Sequence, residues 1–312
     1  MNPQHKKLRI CFMGTAAFAL PTMKAVAAAE EVIAVITQPD RPKGRGREVA
    51  QTPVKQLALQ LGLPLMQPER VKDSLFLAQL AELKPDLIVV AAFGQILPPP
   101  LLAIPPLGCI NCHPSLLPKY RGAAPFQWAI IKGETRTGVS IYLMDPGMDT
   151  GPILLQREVE IGSAETAEEL GERLAEIGGE LITEVINGLK AGTLKPRPQE
   201  EKEASYAPLF KKEDGLIPWQ EPASQIRNRI RGMVPWPVAY TLWQGRMLKV
   251  YKARIGQGSG LPGEIISLDG GIEVACGQGS LVIEELQIEG GKRIRCAEFC
   301  RGHRLTVGER LG

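Results

Sequence analysis

Histidine is scarce in this chain of 312 residues: only three occur, and only His113 lies away from the ends. No uninterrupted apolar run approaches the roughly 18 residues that a membrane-spanning helix needs, so no membrane span is expected. The dinucleotide fingerprint G-x-G-x-x-G is also missing. Gly14-Thr15-Ala16-Ala17-Phe18 follows the first apolar run, but positions 16 and 19 are Ala. A plain strand-to-helix turn is the better reading, and an oxidoreductase is poorly supported. No Gly-Lys-Ser/Thr phosphate loop occurs, which argues against nucleotide hydrolysis. The six cysteines (Cys11, Cys109, Cys112, Cys276, Cys296 and Cys300) show no framework spacing. Cys109 and Cys112 are spaced C-x-x-C, but on a strand their thiols leave opposite faces, against a redox or zinc pair. Cys296, Cys300 and His303 look slightly ligand-like but lack a convincing fourth partner, so no metal is expected. Lys6, Lys7 and Arg9 before apolar residues 10–13 faintly resemble a signal peptide. That apolar run is short and is broken by Gly14-Thr15, so a cytoplasmic chain is expected.

What is present is ordinary in bulk. An apolar content of 44% and a charged content of 23% are those of a soluble globular protein. The length suits one large domain or two ordinary ones. The net charge of +3 is unevenly placed. Residues 207–312 hold 15 Lys and Arg against 11 acidic residues, leaving 22 and 23 elsewhere. The basic excess sits wholly in the C-terminal third, which is compatible with a polyanionic partner.

Apolar, β-branched runs at 8–13, 32–36, 86–91, 108–113 and 138–144 read as strands. Helical patterns cover 53–61, 71–83, 124–132 and 164–191, and another follows residue 18 up to 29. Residues 37–49, rich in Pro, Gly and charge, read as a loop. Alternating strands and helices predict an α/β domain over 1–191 with a mostly parallel sheet. Residues 192–207 read as a linker. Beyond it, one helix at 223–232 precedes short strands at 239–243, 247–253, 264–266, 272–275 and 280–286, separated by Gly-rich turns. That spacing predicts a small β-barrel domain over 208–312.

The chemistry concentrates in two motifs. Asn111 and His113 are two apart, so a strand presents both on one face, and a Pro-rich loop follows at once. Strand ends are where open α/β sheets place ligands. The run Asp145-Pro146-Gly147-Met148-Asp149-Thr150-Gly151 follows a second apolar strand. Its acids are either turn formers or active-site groups. An Asp, a His and an Asn on neighbouring strand ends would make an acid–base and oxyanion set. Whether they meet is a matter of tertiary structure.

Asn111-x-His113-Pro114-Ser115-Leu116-Leu117-Pro118 followed by Asp145-x-Gly147-x-Asp149-x-Gly151 resembles the formyltetrahydrofolate-dependent formyltransferases. Four further segments resemble the branch of that family acting on methionyl-tRNA. They are Gln38-Pro39-Asp40-Arg41-Pro42-x-Gly44-Arg45-Gly46, Arg121-Gly122-Ala123-Ala124-Pro125, Phe210-Lys211-Lys212-Glu213 with Ile217 and Trp219, and Pro235-Trp236-Pro237. The likeness runs over nearly the whole chain and implies a Rossmann-like catalytic domain and an OB-like barrel. It implies transfer of a formyl group from 10-formyltetrahydrofolate to the α-amine of methionyl initiator tRNA for translation initiation, without a metal. Asn111, His113 and Asp149 are the implied catalytic trio. Ser115, Leu116, Leu117 and Pro118, with Phe93, Gln95, Ile96 and Leu97, are the implied folate contacts. Arg41, Lys43, Arg45, Arg47, Lys211 and Lys212 are the implied tRNA contacts, with Arg45 near the first acceptor-stem base pair. A monomer is expected. Rival readings are a formyltransferase for a small-molecule amine, a 10-formyltetrahydrofolate hydrolase module and a noncatalytic RNA-binding protein. The intact trio argues against the last.

Overall fold

The first apolar run is the strand Arg9–Gly14 (β1), buried from Ile10 onward. A strand apolar on both faces belongs inside a parallel sheet covered by helices. The computed structural model describes residues 6–43 and 48–312, and in it β1 is an interior strand of a seven-stranded sheet. The elements that follow are α1 (Ala19–Ala29), β2 (Glu31–Ile36), β3 (Arg41–Lys43), β4 (Glu48–Ala50), α2 (Pro53–Gln60), β5 (Leu65–Met66), α3 (Ser74–Glu82) and β6 (Leu87–Ala91). Next come α4 (Pro99–Leu102), β7 (Cys109–His113), β8 (Arg121–Gly122), α5 (Pro125–Ile131), β9 (Arg136–Leu143), β10 (Ile153–Glu160) and α6 (Ala167–Ala191). The sheet order is β10-β9-β7-β6-β1-β2-β5. The pairs β5–β2, β2–β1, β1–β6 and β6–β7 are parallel, and β9 lies antiparallel to β7. The mostly parallel Rossmann-like sheet is therefore present, with an antiparallel flank.

The order reverses at β1, which sits between β2 and β6. Such a switch point opens a crevice at the C-terminal strand ends. There Thr15 donates its hydroxyl to the Phe93 carbonyl at 2.8 Å, and the Gln38 side-chain amide donates to the same oxygen at 3.0 Å. α6 reaches the sheet closely because it carries Gly178. A Cβ there would stand 2.6 Å from Cys112 Sγ. Cys112 thus points to the helix side of β7, opposite to Asn111 and His113.

The chain divides into two compact units. One comprises Met1–Gly122, Thr137–Val159 and Gly171–Tyr206, and the other Ala123–Arg136, Glu160–Leu170 and Ala207–Gly312. Two stretches that the sequence reading assigns to the first domain thus pack with the C-terminal residues. Trp128 of α5 stacks on Phe210, with ring centroids 4.9 Å apart. The Arg231 guanidinium donates to the carbonyls of Gly162 at 3.1 Å and Glu165 at 2.9 Å. An amphipathic helix shows in its sequence that it has an apolar face, but not what covers that face.

The second unit adds α7 (Ala223–Gly232), β11 (Ala239–Trp243), β12 (Arg246–Ile255), β13 (Ile265–Ser267), β14 (Ile272–Ala275), β15 (Ser280–Ile288), β16 (Ile294–Arg295) and α8 (Cys296–Gly302). Its sheet runs β11-β12-β15-β14-β13 with β16 paired to β15, antiparallel where the pairings are defined. This is the expected barrel-like sheet, in half-barrel form. Register shifts around Lys252 bend β12 against β15. The last residues span the two outer strands. Gly308 N–H donates to Ile265 O and Ile265 N–H to Glu309 O, both at 2.8 Å. Leu311 N–H reaches Gly263 O at 2.8 Å, and Gly312 N–H reaches Leu242 O of β11 at 3.0 Å.

Several expectations are corrected. Residues 41–43 and 48–50 form a hairpin where a plain loop was expected. The helix expected at 71–83 spans only Ser74–Glu82, and that expected at 164–191 starts at Ala167. β10, β5 and α8 went unread because each is short or mixes polar with apolar residues.

Candidate active site

β7 delivers Asn111 and His113 to one face of the sheet. Across the antiparallel pair, Asn111 stands opposite Tyr142 and His113 opposite Ser140. His113 is nearly buried, at 4% exposure. Its Nδ1 lies 3.6 Å from Asp149 Oδ2, and its Nε2 lies 3.0 Å from the Tyr120 carbonyl. A carbonyl only accepts, so Nε2 carries a hydrogen. Both ring nitrogens therefore face acceptors.

The loop after β9 gives the two acids different partners. Asp145 accepts from Gly147 N–H at 3.0 Å and from the Thr150 hydroxyl at 2.6 Å, which is the work of a turn former. Asp149 is turned the other way by a left-handed backbone, φ +55°. Its carboxylate accepts the Tyr142 hydroxyl at 2.6 Å and Gly122 N–H at 2.7 Å. The loop is tied from outside by Gln199. The Gln199 amide nitrogen donates to the carbonyls of Asp149 at 2.8 Å and Gly151 at 2.7 Å. Its oxygen accepts from Arg121 Nε at 3.2 Å and Nη2 at 3.0 Å. Arg121 is 1% exposed, and its third nitrogen meets Glu201 at 2.9 Å. A buried guanidinium needs such partners to offset its desolvation.

Three side chains here escaped the sequence reading as site residues: Tyr142, Gln199 and Arg121. Tyr142 accepts from Asn111 Nδ2 at 3.1 Å while donating to Asp149, so it joins two members of the expected trio. Burial, reinforced by the Asp149 carboxylate, holds its hydroxyl well above the ordinary phenol range. The hydroxyl stays protonated. No spacing rule flags Tyr142, whereas Arg121 lay inside a motif already singled out. The trio itself does meet: an amide, an imidazole and a carboxylate share one face beside the crevice. Such a set can donate N–H groups to a developing oxyanion and move a proton. Among the described residues, no group of three or more His, Cys, Asp or Glu is placed to hold a metal.

Residues 8–186 match the family described as formyl transferase, and residues 209–304 match its C-terminal domain. The methionyl-tRNA formyltransferase of Pelobacter propionicus is 52% identical over 97% of this chain and 96% of its own length. The chain belongs to the methionyl-tRNA formyltransferase family. Solved structures agree on the fold. An N-formyltransferase from Helicobacter canadensis, in complex with folinic acid and dTDP-3-aminofucose, superposes with a TM-score of 0.69 at 18% identity, covering 92% of this chain and 100% of that one. HypX from Aquifex aeolicus in complex with tetrahydrofolic acid gives 0.65 at 18% identity, covering 97% of this chain and 51% of that one.

In this methionyl-tRNA formyltransferase family chain, the expected folate contacts differ in what they offer. Ser115 is fully buried, and its hydroxyl donates to the Lys119 carbonyl at 2.6 Å. Leu117 is buried against Tyr142 and Ile153. The Ser140 hydroxyl and Gln156 amide hold this loop through the Ser115 carbonyl, Leu117 N–H and the Leu117 carbonyl. Leu116 and Pro118 stay half-buried. Phe93 and Leu97 belong to the core, and Gln95 bonds to the backbone of Val71 and Glu69. Only Ile96, at 78% exposure, is free to touch a ligand broadly. Among the expected tRNA contacts, Arg41 is exposed and lies 3.8 Å from Glu69. Lys211 and Lys212 are exposed. The Lys43 side chain, Arg45 and Arg47 lie outside the described residues.

Proposed function

We infer that the chain transfers the formyl group of 10-formyltetrahydrofolate to the α-amino group of methionyl initiator tRNA, with Asn111, His113 and Asp149 carrying the chemistry. The observation that supports this most is the meeting of the three groups, with Asp149 Oδ2 3.6 Å from His113 Nδ1 and Asp149 Oδ1 joined to Asn111 through Tyr142. In the reaction the amine nitrogen bonds to the formyl carbon and the carbon–N10 bond breaks. The amine loses a proton and N10 gains one. Between these events the formyl oxygen carries negative charge. Asn111 has an amide hydrogen to donate to it. His113 Nε2–H, held in the free chain by the Tyr120 carbonyl, turns to the same oxygen when the donor is bound. Asp149, beside both, orients the imidazole and handles the amine proton.

Leu116, Pro118 and Ile96, with the backbone of 115–118 and 93–97, would line the folate side. Ser115, Leu117, Phe93, Gln95 and Leu97 would support it from beneath. Arg41, Lys43, Arg45, Arg47, Lys211 and Lys212 are proposed to meet tRNA phosphates, with Arg45 at the first acceptor-stem pair. Residues 1–191 are taken as the catalytic domain, 192–207 as the linker and 208–312 as the OB-like tRNA-binding domain. One copy holds all three reacting groups, so a monomer is the proposed working unit. Initiator tRNA is consumed where translation begins, so the reaction belongs in the cytoplasm.

The test follows radiolabelled formyl from 10-formyltetrahydrofolate into methionyl initiator tRNA, with the wild-type chain and His113→Ala side by side. Label should reach the tRNA with wild type and fall about 10²–10³-fold with the variant, as for loss of an oxyanion donor. Release of formate without labelled tRNA would overturn the acceptor. Equal labelling by both proteins would overturn the site.

A further inference from the structure

The unassigned group in this site is Tyr142. Its ring is 1% exposed and stands edge-on to His113, with centroids 6.4 Å apart. Its hydroxyl has one hydrogen to give. The shortest contact, 2.6 Å, is to Asp149 Oδ1, and an ionised carboxylate can only accept. The hydrogen therefore points at Asp149. The phenol oxygen is left with lone pairs alone, and a lone pair can only receive the NH₂ side of the Asn111 amide, at 3.1 Å. The alternative amide orientation would set Asn111 Oδ1 against Tyr142 Oη with no hydrogen between them. Two acceptors facing each other at that distance repel, so that orientation is disfavoured. Asp149 thus dictates the hydroxyl, and the hydroxyl dictates the amide.

We propose that Tyr142 is a positioning residue that sets the polarity of Asn111, so that the amide oxygen and one remaining N–H are both offered to the substrates. This rests on the reading of Asn111, His113 and Asp149 as the reacting groups. It changes what Asn111 does. The remaining N–H meets the formyl oxygen as negative charge grows there. Oδ1 accepts from the attacking amine, whose hydrogens become more acidic as the new carbon–nitrogen bond forms. Both interactions strengthen only as the transition state is approached, so they act on kcat rather than on substrate affinity. Because Tyr142 stays protonated far above neutrality, the arrangement persists through the working pH range.

Tyr142→Phe keeps the buried ring and deletes only the hydroxyl. The expected result is a kcat about 10-fold lower or more, with unchanged KM values for both substrates. A structural role alone would lower the melting temperature and leave kcat at saturating substrates in place. Asn111→Ala and the double variant complete the cycle. If Tyr142 acts through Asn111, adding Tyr142→Phe to Asn111→Ala should have little further effect on kcat. An unchanged kcat in Tyr142→Phe, with Asn111→Ala strongly impaired, would overturn this inference alone. Full activity in Asn111→Ala would overturn the catalytic reading beneath it.

Discussion

Gly151 stands where no side chain fits. A Cβ there would lie 1.7 Å from the Leu143 carbonyl oxygen. That oxygen belongs to the strand and cannot move cheaply, so the loop would shift and carry Asp149 with it. Misplacing a reacting group by about 1 Å can cost roughly 10²-fold in rate. Gly151→Ala should therefore keep the fold, judged by circular dichroism, while formyl transfer drops by about that factor. The cysteines make the opposite case, of residues that chemistry leaves alone. Burial pushes the thiols of Cys11, Cys109, Cys112, Cys276 and Cys296 each up to about 12. A thiol reagent acts on thiolates, which these five do not supply near neutrality. Mass mapping after brief alkylation of the native chain at pH 8 should find Cys300, the half-buried one, modified first. Early modification of Cys112 would contradict its placement under α6.

At the scale of elements, the instructive segments are those that read as connectors. Residues 192–207 lack a helical or alternating pattern, yet Gln199 within them pins the Asp149 loop and Glu201 meets buried Arg121. The C-terminal residues behave likewise. They bridge β13 and β11 through backbone bonds, and Leu311 is buried in the barrel core at 3% exposure. Burying one leucine contributes about 1.5–3 kcal/mol, and each retained backbone bond about 1. Deleting residues 308–312 should destabilise the second unit by at least about 3 kcal/mol, measured by urea unfolding. An unchanged midpoint would mean that this stretch only decorates the barrel.

For the whole molecule, the charge division matters more than the net value. The basic excess of residues 207–312 is exposed in part as Lys211 and Lys212. Contacts of this kind add affinity by releasing counterions and do not read sequence. Replacing both lysines by Ala should weaken tRNA binding and lower the slope of log affinity against log salt by about one per lysine. The rate at saturating tRNA should hold. Filter binding across a salt series separates this from a folding defect, which would lower affinity and leave the slope as it was.

Much of this was legible in the chain itself. Periods of two and 3.6 located β1, β2, β6, β7, β9 and the long helix, because those segments are apolar enough for local pattern to decide them. The two-residue spacing of Asn111 and His113 set both on one face, since a pleated strand alternates strictly. Which partners Asp145 and Asp149 each take was not legible in the loop's composition, because a turn former and an acid aimed into the site are the same residue type until the loop is closed. Nor was Tyr142, whose role exists only through the register that sets it opposite Asn111. The sequence determined by itself the strongly apolar elements, the motif residues and the chemistry they could support. Tertiary structure alone decided which hydroxyl faces which carboxylate and which helix covers which core, because the closing of a loop and the packing of separate elements set those contacts, and no strand or helix period encodes either.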